Sequence, residues 1–497
     1  MGSEYNRSVM ERPDFDLIVI GSGFGGAVCA LRAAQAGLKV AVLERGRRMT
    51  PLAYEELATG RAPVFYNDRQ PGVLELHRLR GLLALTGNAV GGGSNVYTAV
   101  TVRALAETFD DRWPGGLTAE LLAPYYDRVE AMIAPTPIPQ ALSRTLALET
   151  IGQQIGADVT RLPLSMDWPD DSDALGRRPD TDGVYRELAT WLRGGRAARK
   201  RTLDQTYIPQ AESYGAEIRP LHEVRAIAPQ HGGYRLDYRR LADGRWREAS
   251  MGTRRLVIAA GALSTPRLLL QCRDVLGTLP GLSDTLGHRF YTNGDFGGLL
   301  VGPKIDVVPD SGPPVTAWID LWRQERLYLM ETGLVPFDLG SFSGLLNPAR
   351  WFGGMRLPPG KRLTWSFGTM GYNDNPGQLV LGRGGVLVHR HDPARGAAFH
   401  ARTKAVLQQF AAAAGGKLVL PPAAMVKRWP ITVHPLGGAV MADSPDDGVT
   451  DCFGEVFGYP GLYIADGSIV PTPTGVPPSM TIAALAERIV EHLIAQC

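Results

Sequence analysis

The chain's regular patterning begins with an unbroken apolar run. Phe15 to Ile20 (FDLIVI) has strand length and is almost wholly apolar, as a parallel strand buried on both faces should be. A glycine-dense turn follows, Gly21-Ser22-Gly23-Phe24-Gly25-Gly26, and then the Ala/Leu-rich stretch Ala27 to Ala36, which reads as a helix. Gly37 stops that helix, and Lys39 to Leu43 (KVAVL) forms a second apolar strand ending at Glu44. Strand, helix and strand over this length make a β-α-β unit. Residues from about 50 to 75 read as irregular. Ala119 to Ile133 places Leu121, Leu122, Tyr125, Tyr126, Val129 and Met132 at helical spacing. A polar, Pro-rich region follows, and order resumes at Arg201 to Tyr207.

Strand-like runs come next: AEIRPL, EVRAIAP, YRLDYRRL and RRLVIAA. The last, Arg254 to Ala260, runs into Gly261-Ala262-Leu263-Ser264-Thr265-Pro266 and a helix over Arg267 to Gln271. Between about 300 and 425 the texture changes to short β-like runs (LYLMETGLV, LTWSFGTMGY, GQLVLG, GVLVHR), with a helix at Ala397 to Ala414. The chain closes with a strand at Gly461 to Ala465, an Asp466-Gly467-Ser468 turn, a Gly/Pro-rich loop and a helix from about Met480. These patterns predict an α/β protein. A Rossmann-like dinucleotide-binding domain would be assembled from 14–110, 201–300 and 425–497. A substrate domain of largely antiparallel sheet with covering helices would be assembled from 111–200 and 301–424.

Composition narrows the class. A chain of 497 residues is too long for one compact unit, so two domains are the default. Hydrophobic and charged contents of 44% and 21% are those of an ordinary globular protein. A net charge of +2 leaves no electrostatic footprint for nucleic acid or an anionic membrane. Cys29, Cys272, Cys452 and Cys497 are widely spaced, so neither a metal site nor a disulfide framework is expected. The start lacks an apolar signal core, and no run approaches the roughly 18 apolar residues of a membrane span. A cytoplasmic location is therefore the simplest expectation.

Gly21, Gly23 and Gly26 form GxGxxG between strand and helix. The first permits the turn, the second lets the backbone approach a pyrophosphate, and the third lets helix and strand pack. The helix N-terminus then faces the phosphates. Glu44 ends the next strand, where a carboxylate can accept hydrogen bonds from a ribose and argues against a 2′-phosphate.

Four blocks together resemble the glucose–methanol–choline (GMC) oxidoreductases, with the cholesterol oxidase branch as the nearest likeness. They are GSGFGG…VLERG (21–46), GNAVGGGSNVY (87–97), LVIAAGALSTPRLL (256–269) and the segment from His434. The resemblance implies FAD at Gly21, Gly23, Phe24, Gly25, Gly26, Glu44 and Arg45, with a second glycine loop at Gly87, Gly92, Gly93, Ser94 and Asn95 against the flavin. It further implies contacts from Val224 to the adenine, from Gly261, and from Asp466 and Gly467 to the pyrophosphate and ribityl chain. Pro478, Ser479 and Met480 would begin the helix that faces the flavin pyrimidine. The family's covalent link uses a histidine near these loops; residues 87–97 have none and His77 lies upstream, so FAD is expected to be non-covalent.

The resemblance places His434 as the base that takes the hydroxyl proton while the flavin takes the hydride, work that suits an imidazole. The polar side chain usually found beside it is replaced by Pro477, which can neither donate nor accept through its ring. Either His434 acts alone or another group takes that role, and Asn293, in FYTNGD, is one candidate. Glu331, in LYLMETGLVP, resembles the glutamate that moves a proton during double-bond isomerisation. Trp351, Phe352, Trp365, Phe367 and Tyr372 are candidates for an apolar pocket, whereas His389 and His391 read as surface residues. The function implied is oxidation of a hydrophobic, steroid-like or cyclic alcohol, with O2 or another acceptor reoxidising the flavin. The alternatives are a dehydrogenase of another alcohol and a flavin-containing lyase or decarboxylase.

Overall fold

The computed structural model describes residues 14–497 apart from 68–69, 80–81, 177–183, 195–196, 310, 334–363 and 421–430. A seven-stranded sheet organises the first unit. Its order is Glu217–Pro220, Val40–Glu44, Phe15–Ile20, Arg245–Ile258, Gly233–Ala242 and His222–Gln230, with Leu462–Ile464 beside Arg245–Ile258. The four pairings nearest the glycine turn are parallel, and the Gly233–Ala242 pairings are antiparallel. Arg245–Ile258 is long enough to serve both parts. Its first half completes the meander, and its second half lies between Phe15–Ile20 and Leu462–Ile464. All five residues of Val40–Glu44 are buried, which is why that run is continuously apolar up to its last residue.

The N-terminal helix, Phe24–Gln35, and the C-terminal helix, Ser479–Ala495, pack together in one core with these strands. A second, six-stranded sheet is antiparallel throughout. Its order is Lys417–Val419, Phe296–Val301, Thr364–Gly371, Leu327–Thr332, Ala317–Leu321 and Asp158–Arg161. Helices Ser143–Ile155 and Ala397–Ala413 cover one face of it, closing a core that includes Leu327, Leu329, Trp365, Phe367 and Phe410. Its other face builds a separate core with Trp318, Tyr328, Met330 and Met370. The predicted architecture is therefore present.

Three local expectations differ. The stretch expected to be irregular contains helix Pro51–Ala58, started by Thr50 Oγ1 accepting from Ala53 N at 3.2 Å with proline in the first turn. The polar region after Ile133 contains helix Ser143–Ile155. The expected domain boundaries also cut across packing. Leu122, Tyr126, Val129 and Ile133 of helix Ala119–Ile133 are buried in the first core, whereas Phe296–Val301 pairs into the antiparallel sheet.

Candidate active site

Two glycine loops and two helix ends converge on one cradle. In the first loop, a Cβ at Gly25 would stand 1.4 Å from Ala465 O, and one at Gly26 would stand 2.0 Å from Gly21 O. Gly21 also has φ +94°, a conformation that disfavours any side chain. Gly23 is different, because the nearest atom to its would-be Cβ is Gly92 Cα at 4.0 Å; Gly93 has nothing within 4 Å. Those two glycines face open space, one from each loop. Ser22 joins the loops: its hydroxyl accepts from Gly91 N at 3.0 Å and donates to Glu44 Oε2 at 2.7 Å.

The cradle is rich in unused donors. Neither the N-terminal nor the C-terminal helix carries a side-chain cap or an acidic residue in its first turn. Both ends therefore leave amide N–H groups and a positive dipole end for an anion or an electron-rich ring. Ser479 Oγ and Asn95 Oδ1 are buried without a hydrogen-bond partner. Buried polar atoms of this kind call for a ligand. Together with the open faces of Gly23 and Gly93, these groups fit FAD.

Other expected cofactor residues act mainly on the protein itself. Glu44 Oε2 accepts from Ser22 N at 3.0 Å and Oε1 from Gly46 N at 2.7 Å, which holds the loop to the strand end. Arg45 differs from expectation. Its guanidinium donates to Asn88 Oδ1 at 2.9 Å, pairs with Glu75 and lies over the Tyr66 ring, so protein groups engage its charge. Ser94 Oγ accepts from Leu203 N at 3.0 Å and donates to Gly91 O at 2.7 Å, and Asn95 Nδ2 donates to Val90 O at 2.8 Å. Gly87 packs its Cα against Gly92 O, and Phe24 sets its ring 5.7 Å from that of Tyr97. Val224 lies on the strand at the sheet edge, packed on the first core.

Asp466 is a structural hub. Oδ2 accepts from Gly261 N (2.8 Å) and Thr265 Oγ1 (2.5 Å), and Oδ1 from Ser468 N (2.8 Å) and Ser468 Oγ (2.6 Å). Burial pushes its carboxyl up, and these four donors oppose the shift. Pro478, Ser479, Met480 and Gly467 are buried at the start of the C-terminal helix and in the turn before it. Sequence reasoning missed Lys200, whose buried Nζ donates to Asn95 O at 2.9 Å and Tyr97 O at 3.0 Å and so clamps the second loop.

His434 heads a segment that runs beside the turn into the C-terminal helix, because Gly437 N donates to Gly467 O at 2.9 Å and Ala439 N to Ser468 O at 3.0 Å. Its side chain is 24% exposed, and Nδ1 lies 2.8 Å from Asp295 Oδ1. Asn293 is not its partner. That residue is fully buried, with Oδ1 accepting from Thr474 N and Gly475 N (both 2.9 Å) and Nδ2 donating to Val476 O (2.8 Å). Its amide instead fixes the loop that carries Pro477. Asp295 sits two residues further along the same FYTNGD segment. A carboxylate so close was the available signal.

Glu331 is not brought to this site. It lies on Leu327–Thr332 in register with Leu327 and Leu329, which pack under Ser143–Ile155. Oε1 accepts from Thr316 N (2.7 Å) and Thr316 Oγ1 (2.6 Å), and Arg144 Nη1 stands 3.2 Å from Oε2, both side chains fully buried. Trp365 and Phe367 share that covered face, their rings tilted and edge-on to that of Phe410, and Trp351 and Phe352 lie outside the described residues. The aromatic group that meets the Pro477 loop is another one. Trp318 and Trp322 stack on Tyr328 at 4.1 and 5.5 Å, Val476 packs into the same core, and a Cβ at Gly475 would strike the Trp322 ring. Tyr372 joins this group edge-on to Trp322 at 6.4 Å. His389, expected at the surface, is buried and stacked on His391 at 4.9 Å.

A Rossmann-type cradle rich in unused donors, beside an antiparallel sheet, is the arrangement of an FAD-dependent oxidoreductase. Comparison with known proteins agrees. Residues 16–54 match the FAD binding domain model and residues 390–486 match the GMC oxidoreductase model. A cholesterol oxidase of Mycobacterium tuberculosis is 29% identical over 531 residues, covering 96% of this chain and 90% of that protein. One from Acinetobacter baumannii is 27% identical, covering 97% and 95%. The crystal structure of pyridoxine 4-oxidase from Mesorbium loti superposes with a TM-score of 0.64 at 16% identity, covering 96% and 98% of the two chains. Residues 390–486 thus carry a GMC oxidoreductase domain and residues 16–54 an FAD-binding domain, and the chain is an FAD-dependent oxidoreductase acting on CH–OH groups. Among the described residues, no helix is long and apolar enough to cross a membrane.

Proposed function

We propose that this protein oxidises a hydrophobic, cyclic or steroid-like alcohol to the ketone or aldehyde, with His434 as the base. The observation that carries the reading is that the segment headed by His434 runs beside Gly467 and Ser468, with His434 Nδ1 engaged and Nε2 without a protein partner among the described residues. FAD, when bound, would supply the hydride acceptor, with O2 or another acceptor as the final oxidant. The chain's own residues do the rest. The first glycine loop and the N-terminal helix hold the pyrophosphate. The uncapped end of the C-terminal helix favours negative charge on the ring system. His434 Nε2 takes the proton from the substrate hydroxyl as the C–H bond breaks.

An apolar substrate is supported by Pro477, which offers no polar side chain, by the Trp318–Tyr328–Trp322 stack behind that loop, and by the cholesterol oxidases among the relatives. Non-covalent FAD is supported by the absence of histidine from 87–97 and by His77, whose Nε2 is 2.9 Å from Thr86 Oγ1. The test is anaerobic bleaching of the flavin by a panel of sterols and cyclic alcohols. His434→Ala should retain the yellow cofactor and slow bleaching by at least about 10²-fold. Undiminished bleaching in that variant, or none by any alcohol in the wild type, overturns the reading.

A further inference from the structure

We propose that Asp295 is a positioning residue that holds His434 in its Nδ1–H tautomer and thereby presents Nε2 as the proton acceptor. This rests on His434 being the base. An ionised carboxylate only accepts hydrogen bonds. With Asp295 Oδ1 at 2.8 Å, the imidazole proton must lie on Nδ1, which leaves the lone pair on Nε2. The carboxylate cannot turn away. Its Oδ2 accepts from Thr432 Oγ1 (2.8 Å), Val433 N (2.8 Å) and His434 N (3.0 Å), so backbone and side chain of the histidine are held by one group.

The four interactions also explain why the residue is an acid. Each of the four groups facing Asp295 can donate, and none requires a donor in return. An asparagine has one acceptor oxygen for them. Either its NH2 would face the Val433 and His434 amides, or it would donate to Nδ1 and move the imidazole proton to Nε2. The second outcome turns the base into a donor. Asp295 also supplies the counter-charge for the imidazolium formed when the substrate proton arrives. It is His434's one ion-pair partner among the described residues.

Two measurements test this. Two-bond 15N–1H correlation on the 15N-histidine-labelled holoenzyme should show His434 protonated at Nδ1. Stopped-flow flavin reduction, using an alcohol that bleaches the wild type, should fall by about 10²-fold in Asp295→Asn at an unchanged FAD content. Asp295→Glu should recover part of the rate. A residue that merely braced the loop would lower rate or stability without moving the tautomer. If Asp295→Asn does not fold, the wild-type tautomer still decides: a proton on Nε2 overturns the proposal. So does an Asp295→Asn enzyme with wild-type rate. An indifferent His434→Ala would instead overturn the function proposed above.

Discussion

Replacing Glu331 with glutamine separates a structural acid from a proton carrier. Glu331 and Arg144 are both fully buried, 3.2 Å apart, and Arg144 also donates to Pro313 O. A Cβ at Gly333 would lie 1.8 Å from Arg144 Nη1, so the guanidinium has no room to swing out. Glutamine can keep the Thr316 hydrogen bonds through its oxygen, but its NH2 then faces the guanidinium and the cation loses its counter-charge. Breaking one side of a buried pair costs about 3–5 kcal/mol. The thermal midpoint of Glu331→Gln should fall by roughly 5–10 °C. Flavin reduction by a wild-type alcohol substrate at 25 °C should stay within about twofold, because the side chain points to the helix-covered face of the sheet. The double variant Arg144→Met/Glu331→Leu should regain most of the loss, since an apolar pair needs no charge balance. A Glu331→Gln protein with an unchanged midpoint and a large loss of turnover would refute the reasoning and restore a proton-transfer role.

Two more outcomes follow from the loops. Gly25→Ala places a Cβ 1.4 Å from Ala465 O, a contact relieved only by parting the N-terminal helix from the strand end, so flavin per chain, read from absorbance, should fall at least about tenfold. Burial lowers the Lys200 ammonium from its ordinary 10.5 to about 7, so between those values the unfolded chain holds a proton that the folded chain lacks. Stability should therefore rise with pH from about 7 towards 10 and be lowest below 7 as far as this group is concerned; Lys200→Met should show a flatter midpoint over pH 7–9, and an identical slope would refute the assignment.

The strand Phe15–Ile20 and the helix Ala119–Ile133 fall where their patterns predict, because apolar periodicity over six or fifteen residues is a local property. Helix Pro51–Ala58 was also locally signalled, by Thr50-Pro51, but its apolar face is short. Helix Ser143–Ile155 has only weak amphipathicity and depends on the sheet it covers. The cofactor loops were legible for a similar reason: turn, close approach and helix entry all lie within GSGFGG, and the His434 segment is contiguous with the turn and helix it serves.

What the chain's order determined by itself was the α/β class and the dinucleotide loop. Tertiary structure decided which charges meet. Asp295 and His434 are 139 residues apart, and Asn293 and Asp295 look equally available in FYTNGD until the 474–476 loop engages the amide and leaves the acid to the imidazole. Glu331 looked poised in an apolar strand, but alternation states only that it shares a face with Leu327 and Leu329. Arg144, arriving from another element, decides that this face is the helix-covered one. Periodicity is short-ranged and survives in a string of letters. Hydrogen-bond partnership depends on distances of about 3 Å between segments that only folding brings together.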